Sequence, residues 1–215
     1  MMLEKATLFA ELEKDALSEL EQGAVVSLYP KNTYVLSQGD VSNNLYIILE
    51  GRVKVFMGND EGREITLDYL GINEAFGELA LIDGNRRSAN VMTVEKCRIA
   101  MLPRQYFIDC LQKNPNIAIA MMEVLAGRIR GLTGQVENLA LLDVYGRIAR
   151  ELIRQSEELP DGRRMTKTIT HQDLANLVGA SREMVTKILL DLKRGGYIDI
   201  DNHCIVIKSR LPARW

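Results

Sequence analysis

"THQDLANLVGASREMVTKILLDLKRGGY", residues 170–197, decides the architecture of this chain. Gly179 stands at its centre. Leu174 and Ala175 precede it by five and four residues, Val178 and Ala180 flank it, and Val185 and Ile188 follow by six and nine. Two helices crossing at a steep angle need apolar or small side chains at such positions, with a glycine in the turn. Thr170 is placed to cap the first helix, with Asp173 in its first turn, and Ser181 to cap the second. After Gly195-Gly196, "YIDIDNHCIVI" alternates around Asp-Asn-His and predicts a β-hairpin wing. The exposed face of the second helix then carries Arg182, Glu183, Thr186 and Lys187. In a major groove Arg forks to guanine and Glu accepts from cytosine, so this segment is expected to bind DNA.

Charge supports the same division of labour. Residues 1–143 carry 14 Lys+Arg against 20 Asp+Glu, a balance of −6, while residues 144–215 carry 13 against 9, a balance of +4. A basic C-terminal domain on an acidic body points to a polyanion partner. Upstream, Asp143 is a natural N-cap for "VYGRIARELIRQ", and Pro160 and Gly162 break the loop "SEELPDGRR".

Further back, Asn114-Pro115 reads as a cap and first-turn proline opening a long helix. Met121, Leu125, Leu132, Val136 and Leu139 recur along it at steps of four, seven, four and three, which predicts a dimer seam. Gly127, Gly131 and Gly134 weaken an isolated helix, and close packing against a partner is the expected reason for them. Residues 24–102 change character to short β runs: "TYVLSQGD", "NLYIILEGRVKVF", "REITLDYLG" and "SANVMTVEKCRIAML", punctuated by glycines. Such spacing predicts a β-barrel or jelly roll. The first twenty residues read as short helices on Leu8, Leu12, Leu17 and Leu20, and "RQYFIDCLQKN" after Pro103 as another.

Within the β region, "FGELALIDGNRRSANV", residues 76–91, puts a carboxylate and a guanidinium nine residues apart around what reads as a tight turn. With this stretch and the C-terminal one both in view, the chain resembles the cyclic AMP receptor protein / fumarate-nitrate regulator (Crp/Fnr) family over essentially its whole length. The resemblance implies an α+β protein: a cyclic-nucleotide-binding jelly roll over residues 1–115, a dimerisation helix and hinge over 116–142, and a winged helix-turn-helix over 143–215. It implies a ligand site at Leu67, Gly77, Glu78, Leu79, Ala80, Arg87, Ser88, Arg128, Leu132 and Thr133. In it Glu78 takes the ribose 2′-hydroxyl and Arg87 the cyclic phosphate. It implies DNA contacts from Thr170, His171, Gln172, Ser181, Arg182, Glu183, Lys187 and His203. The family's cyclic AMP responders carry Thr-Ser where this chain has Leu132-Thr133. Lys187 stands where an Arg is usual, losing a bidentate contact to guanine.

The function that follows is a homodimeric regulator binding a palindromic operator, switched by a cyclic nucleotide, cyclic AMP first. The alternative is the same dimer acting without a ligand or under another nucleotide such as cyclic di-GMP. Asp60, Glu61 and Glu64 in "GNDEGRE" resemble an acidic turn with which some members touch RNA polymerase. No nucleophile–base pair or metal cluster is legible, so neither catalysis nor a metal site is expected. Cys97, Cys110 and Cys204 have no metal-ligand spacing and fit a reducing cytoplasm. With the early charges Glu4 and Lys5 no secretory leader is expected, and Glu123 cuts the longest apolar helical run well short of a membrane span.

Overall fold

A computed structural model describes residues 2–41, 43–201 and 203–212. It divides into two compact units, Met1–Gly58 with Thr66–Arg130, and Asn59–Ile65 with Gly131–Trp215. The first is built on two four-stranded sheets. One holds β1 (Val25–Tyr29), β8 (Cys97–Pro103), β3 (Asn44–Glu50) and β6 (Ala75–Phe76), hydrogen-bonded in that order. The other holds β2 (Tyr34–Leu36), β7 (Asn90–Thr93), β4 (Val53–Gly58) and β5 (Glu64–Leu70). The pairings are antiparallel, as a jelly roll requires.

The two-residue period of a strand explains why "NLYIILE" is almost wholly apolar. On β3, Leu45 and Ile47 join one core cluster while Tyr46 and Ile48 join a second. On β8, Leu102 and Ala100 go to the first cluster, and Ile99 and Cys97 to the second. Helices close the first cluster: α1 (Lys14–Gly23) with Leu17 and Leu20, α3 (Arg104–Lys113) with Phe107 and Cys110, and the start of α4 (Asn116–Leu141) with Ile117 and Met121. The N-terminal helical stretch is a 3-10 turn, Thr7–Phe9, followed by α1, and Leu12 lies between them.

Three sequence expectations are corrected or extended along this path. The stretch after Phe76 is not a tight turn but a short helix, α2 (Glu78–Asp83), held between two left-handed glycines, Gly77 (φ 81°) and Gly84 (φ 71°). Asn114 closes α3 as well as opening α4: its Nδ2 donates to the Cys110 carbonyl at 3.1 Å, while its own carbonyl accepts from the Ile117 amide at 3.1 Å. Met121 is not on a dimer seam, since it is 5% exposed inside its own core and Leu125 packs partly against the same cluster. The exposed large apolar residues of α4 are Ile119, Met122, Ile129, Leu132, Val136, Leu139 and Leu141, and five of them, Met122, Ile129, Leu132, Val136 and Leu139, share one line. With Leu125 these five run at steps of 3, 4, 3, 4 and 3, an unbroken a/d pattern. Gly127, Gly131 and Gly134 fall off that line, and a Cβ at any of them would meet open space. Within this chain they cost helix stability, about 1 kcal/mol each relative to Ala.

The second unit centres on the helix-turn-helix. α5 (Val144–Gln155), α6 (His171–Val178) and α7 (Arg182–Arg194) bury Ile148, Leu152, Leu174, Ala175, Val178, Val185, Ile188, Leu189 and Leu192 in one cluster. A four-stranded sheet completes it, in the order β11 (Ile198–Asp201), β12 (Cys204–Ile207), β10 (Arg164–Thr166), β9 (Ser156–Glu158). β11 and β12 form the expected wing, although Asn202 at its turn lies outside the described residues. The N-caps fall where the sequence places them. Asp143 accepts from the Gly146 amide at 2.7 Å, Thr170 from Asp173 at 3.0 Å, and Ser181 from Met184 at 3.2 Å. Gly179 ends α6 at φ 62°, the left-handed C-cap that glycine tolerates best.

Candidate functional site

In the first unit, the geometry around Glu78 and Arg87 follows from one glycine. Gly77 sits at φ 81°, and a Cβ there would come 2.7 Å from Arg87 Nη1 and 3.3 Å from the Asn44 carbonyl oxygen. Without a side chain at 77, the Arg87 guanidinium lies directly against the backbone. Its Nη1 donates to the Gly77 carbonyl at 2.6 Å and its Nη2 to that of Asn44 at 2.8 Å. Its Cζ lies 5.8 Å from the centroid of the Tyr46 ring, which stacks on Phe76. The Arg87 backbone is fixed as well, its amide donating to Asp40 and its carbonyl accepting from Gly39. At 4% exposure, burial pushes the guanidinium below its ordinary value, while Tyr46 and Glu78 oppose that shift. It stays charged, because an arginine starts so high.

Glu78 opens α2 at 5% exposure. Arg128 of α4 clasps it, with Nη1 2.5 Å from Glu78 Oε1 and Nη2 2.5 Å from the Ala75 carbonyl oxygen. A charge so buried is tolerable only when paired in this way. Ala80 is buried and Leu67 half-buried, whereas Leu79 and Ser88 are exposed. The structure thus brings together Gly77, Glu78, Arg87 and Arg128 through direct contacts. Leu132 and Thr133 lie one turn beyond Arg128 on α4, with Leu132 43% exposed. Sequence reading missed Asn44 and Tyr46 as partners of Arg87, which no local pattern marks.

In the second unit, Arg182, Glu183 and Lys187 are exposed on α7. The hydroxyls of Thr170 and Ser181 are committed to capping, and Thr170 Oγ1 also donates to Asp173 Oδ2 at 2.6 Å. Gln172 Nε2 donates to Asn176 Oδ1 at 2.8 Å. His171 is half-buried, with Nδ1 2.9 Å from Thr186 Oγ1, and His203 stands exposed at the wing turn with φ 63°. Of the acidic turn, Asp60 and Glu61 are exposed, but Glu64 starts β5 and accepts from Asn176 Nδ2 at 3.2 Å. Glu61 is itself paired with Arg63 Nε at 3.5 Å, so two of the three carboxylates the sequence offered are already engaged.

Both sites can be set beside known proteins. The cyclic nucleotide-binding domain model matches residues 26–114, and the Crp-like helix-turn-helix domain model matches residues 146–211. The cAMP-activated global transcriptional regulator CRP of Haemophilus influenzae is 38% identical over 185 residues, 83% of this chain and 82% of that protein. The CRP-like cAMP-activated global transcriptional regulator of Mycobacterium tuberculosis is 30% identical over 219 residues, 99% of this chain and 98% of the other. The chain belongs to the Crp/Fnr family. Among solved Crp/Fnr structures, the c-di-GMP responsive global regulator CLP of Xanthomonas campestris is similar at a TM-score of 0.80. It is 28% identical, over 92% of this chain and all of the other. As a Crp/Fnr member, this protein is a DNA-binding transcription regulator with a cyclic-nucleotide-binding domain. Among its described residues no helix is long and apolar enough to cross a membrane, and no group of His, Cys, Asp and Glu could hold a metal.

Proposed function

We propose that the protein is a homodimer whose affinity for a palindromic operator is set by a cyclic nucleotide, cyclic AMP first, bound at Glu78 and Arg87. The observation that carries this is the buried carboxylate and buried guanidinium on either side of Gly77, within the region matching the cyclic-nucleotide-binding model. A ligand with hydroxyls at one end and a phosphate at the other complements that pair of charges. The names of the Haemophilus and Mycobacterium relatives, both cAMP-activated, favour cyclic AMP.

A second reading has its own support. Both charges already hold partners in this conformation: Glu78 has Arg128, and the two terminal nitrogens of Arg87 have backbone carbonyls. Leu132, at a family position for adenine recognition, cannot hydrogen-bond a base through its side chain. A dimer that acts without a ligand, or one governed by cyclic di-GMP as the Xanthomonas regulator's description implies for itself, fits those facts. Calorimetry with cyclic AMP, cyclic GMP and cyclic di-GMP, paired with DNA titrations, separates the two. The first reading expects heat with cyclic AMP and tighter DNA binding. Heat only with cyclic di-GMP, or none at all, sinks it.

On the DNA, two α7 helices related by the dimer axis would read half-sites roughly one helical turn apart. Arg182 is assigned to guanine and Glu183 to cytosine. Arg182→Ala should cost about 1–3 kcal/mol and relax preference at one guanine per half-site. Equal weakening on all sequences, measured by competition among operator variants, would make Arg182 a phosphate contact only.

A further inference from the structure

The chain has two histidines, and the fold brings both to the edge of the DNA-reading surface. His171 opens α6, and its Nδ1 meets Thr186 Oγ1 of α7 at 2.9 Å. His203 occupies the wing turn, and its carbonyl accepts from the Ile169 amide at 3.0 Å. That bond ties the wing to the residue two before His171. The charged groups on the elements packed here are Asp173 on α6, Arg182, Glu183, Lys187, Asp191, Lys193 and Arg194 on α7, and Asp199 and Asp201 on β11. Asp173 accepts from Thr170.

We propose that His171 and His203 make DNA binding proton-linked: each imidazole takes up a proton from solvent as a backbone phosphate comes to lie beside it. The inference rests on the DNA-reading role assigned above and adds its regulation by pH. In the free protein, burial first, then Arg182 and His203, hold His171 below the ordinary histidine value. Its ring is therefore neutral at pH 7. A phosphate brought against the ring favours the charged form and raises the value in the complex. Between the free and bound values, binding consumes protons, so affinity falls as pH rises through that window. Thr186 fixes the ring orientation: with Nδ1 held by the hydroxyl, Nε2–H is left to donate to a phosphate oxygen. When both nitrogens are protonated, Nδ1–H donates to Thr186 Oγ1 and Nε2–H to the phosphate. His203 stands exposed on the turn, where its imidazole is open to the same phosphate backbone.

The experiment uses the full-length protein and a duplex enriched from a random pool by the wild type. Affinity is measured from pH 6 to pH 8 at fixed ionic strength, since phosphate contacts are strongly salt-dependent. Calorimetry in buffers of different ionisation enthalpy counts the protons taken up. The wild type should bind roughly tenfold more tightly at the acid end, with net proton uptake. The double variant His171→Gln/His203→Gln should bind with no proton uptake and a nearly flat profile, its fold checked by thermal unfolding at each pH. A flat wild-type profile without proton uptake overturns the proposal, and so does a slope that survives in the double variant. Should the double variant fail to fold, the wild-type proton count still decides. A wild type that selects no duplex at any pH would overturn the DNA-reading assignment itself.

Discussion

Replacing Val136 with glutamate should turn the protein into monomers at concentrations where the wild type is dimeric, and lower its affinity for a two-fold operator by roughly 100-fold or more. The expectation rests on α4. Met122, Leu125, Ile129, Leu132, Val136 and Leu139 hold one face of the helix, and all but Leu125 are between 42% and 65% exposed. Burying one such side chain is worth about 1.5–3 kcal/mol, so six from each copy are enough to hold a dimer. Val136, at 65%, is proportionally the most exposed of the six. A glutamate there would face its own copy across the axis, and two like charges would be desolvated together. The DNA effect follows from linkage: one dimer presents both recognition helices at high effective concentration, which separate monomers cannot. Sedimentation equilibrium and operator titration read the two effects. A variant that stays dimeric would remove this face from the interface.

How much of this was legible in the sequence depended on the range of the interaction. The caps at Asp143, Thr170 and Ser181 were readable, because a cap joins a side chain to an amide three residues away. The helix-turn-helix was readable for a related reason: Leu174, Ala175, Val178, Val185 and Ile188 bury within one short segment. Of the five residues of α4 assigned to a seam, Leu125, Leu132, Val136 and Leu139 lie on the apolar line and Met121 alone leaves it. Met121 and Met122 are adjacent and equally apolar, and only the jelly-roll core, which swallows Met121, decides which faces out. Asn114 was legible only as opening α4, although both termini lie within its reach and it also closes α3. The commitments of Arg87 were not legible at all. Its carbonyl partner Asn44 is 43 residues away, and chain topology, not local pattern, puts them together.

Arg87→Ala should abolish cyclic-nucleotide binding, and it should also destabilise the protein when no nucleotide is present. The sequence alone assigns Arg87 to a phosphate. The structure gives it a second task, since both terminal nitrogens already hold backbone carbonyls. Hydrogen bonds from a charged donor are worth about 1.5–3 kcal/mol each. Truncation removes two of them and opens a cavity beside Tyr46. A loss of about 2–5 kcal/mol is therefore expected, visible as a fall in Tm without ligand. Arg87→Lys separates the two tasks. A lysine keeps a positive charge for the phosphate but lacks the planar fork that spans Gly77 and Asn44. It should lose most of the ligand-free stability yet retain weakened binding of cyclic AMP. Because a ligand that binds only the folded state raises Tm, added nucleotide should stabilise the wild type strongly, Arg87→Lys weakly and Arg87→Ala not at all. If nucleotide stabilises Arg87→Ala as much as the wild type, the phosphate is anchored elsewhere. If both variants lose stability and no nucleotide shifts the wild type, Arg87 serves the fold alone, and the reading in which the dimer acts without a cyclic nucleotide takes precedence.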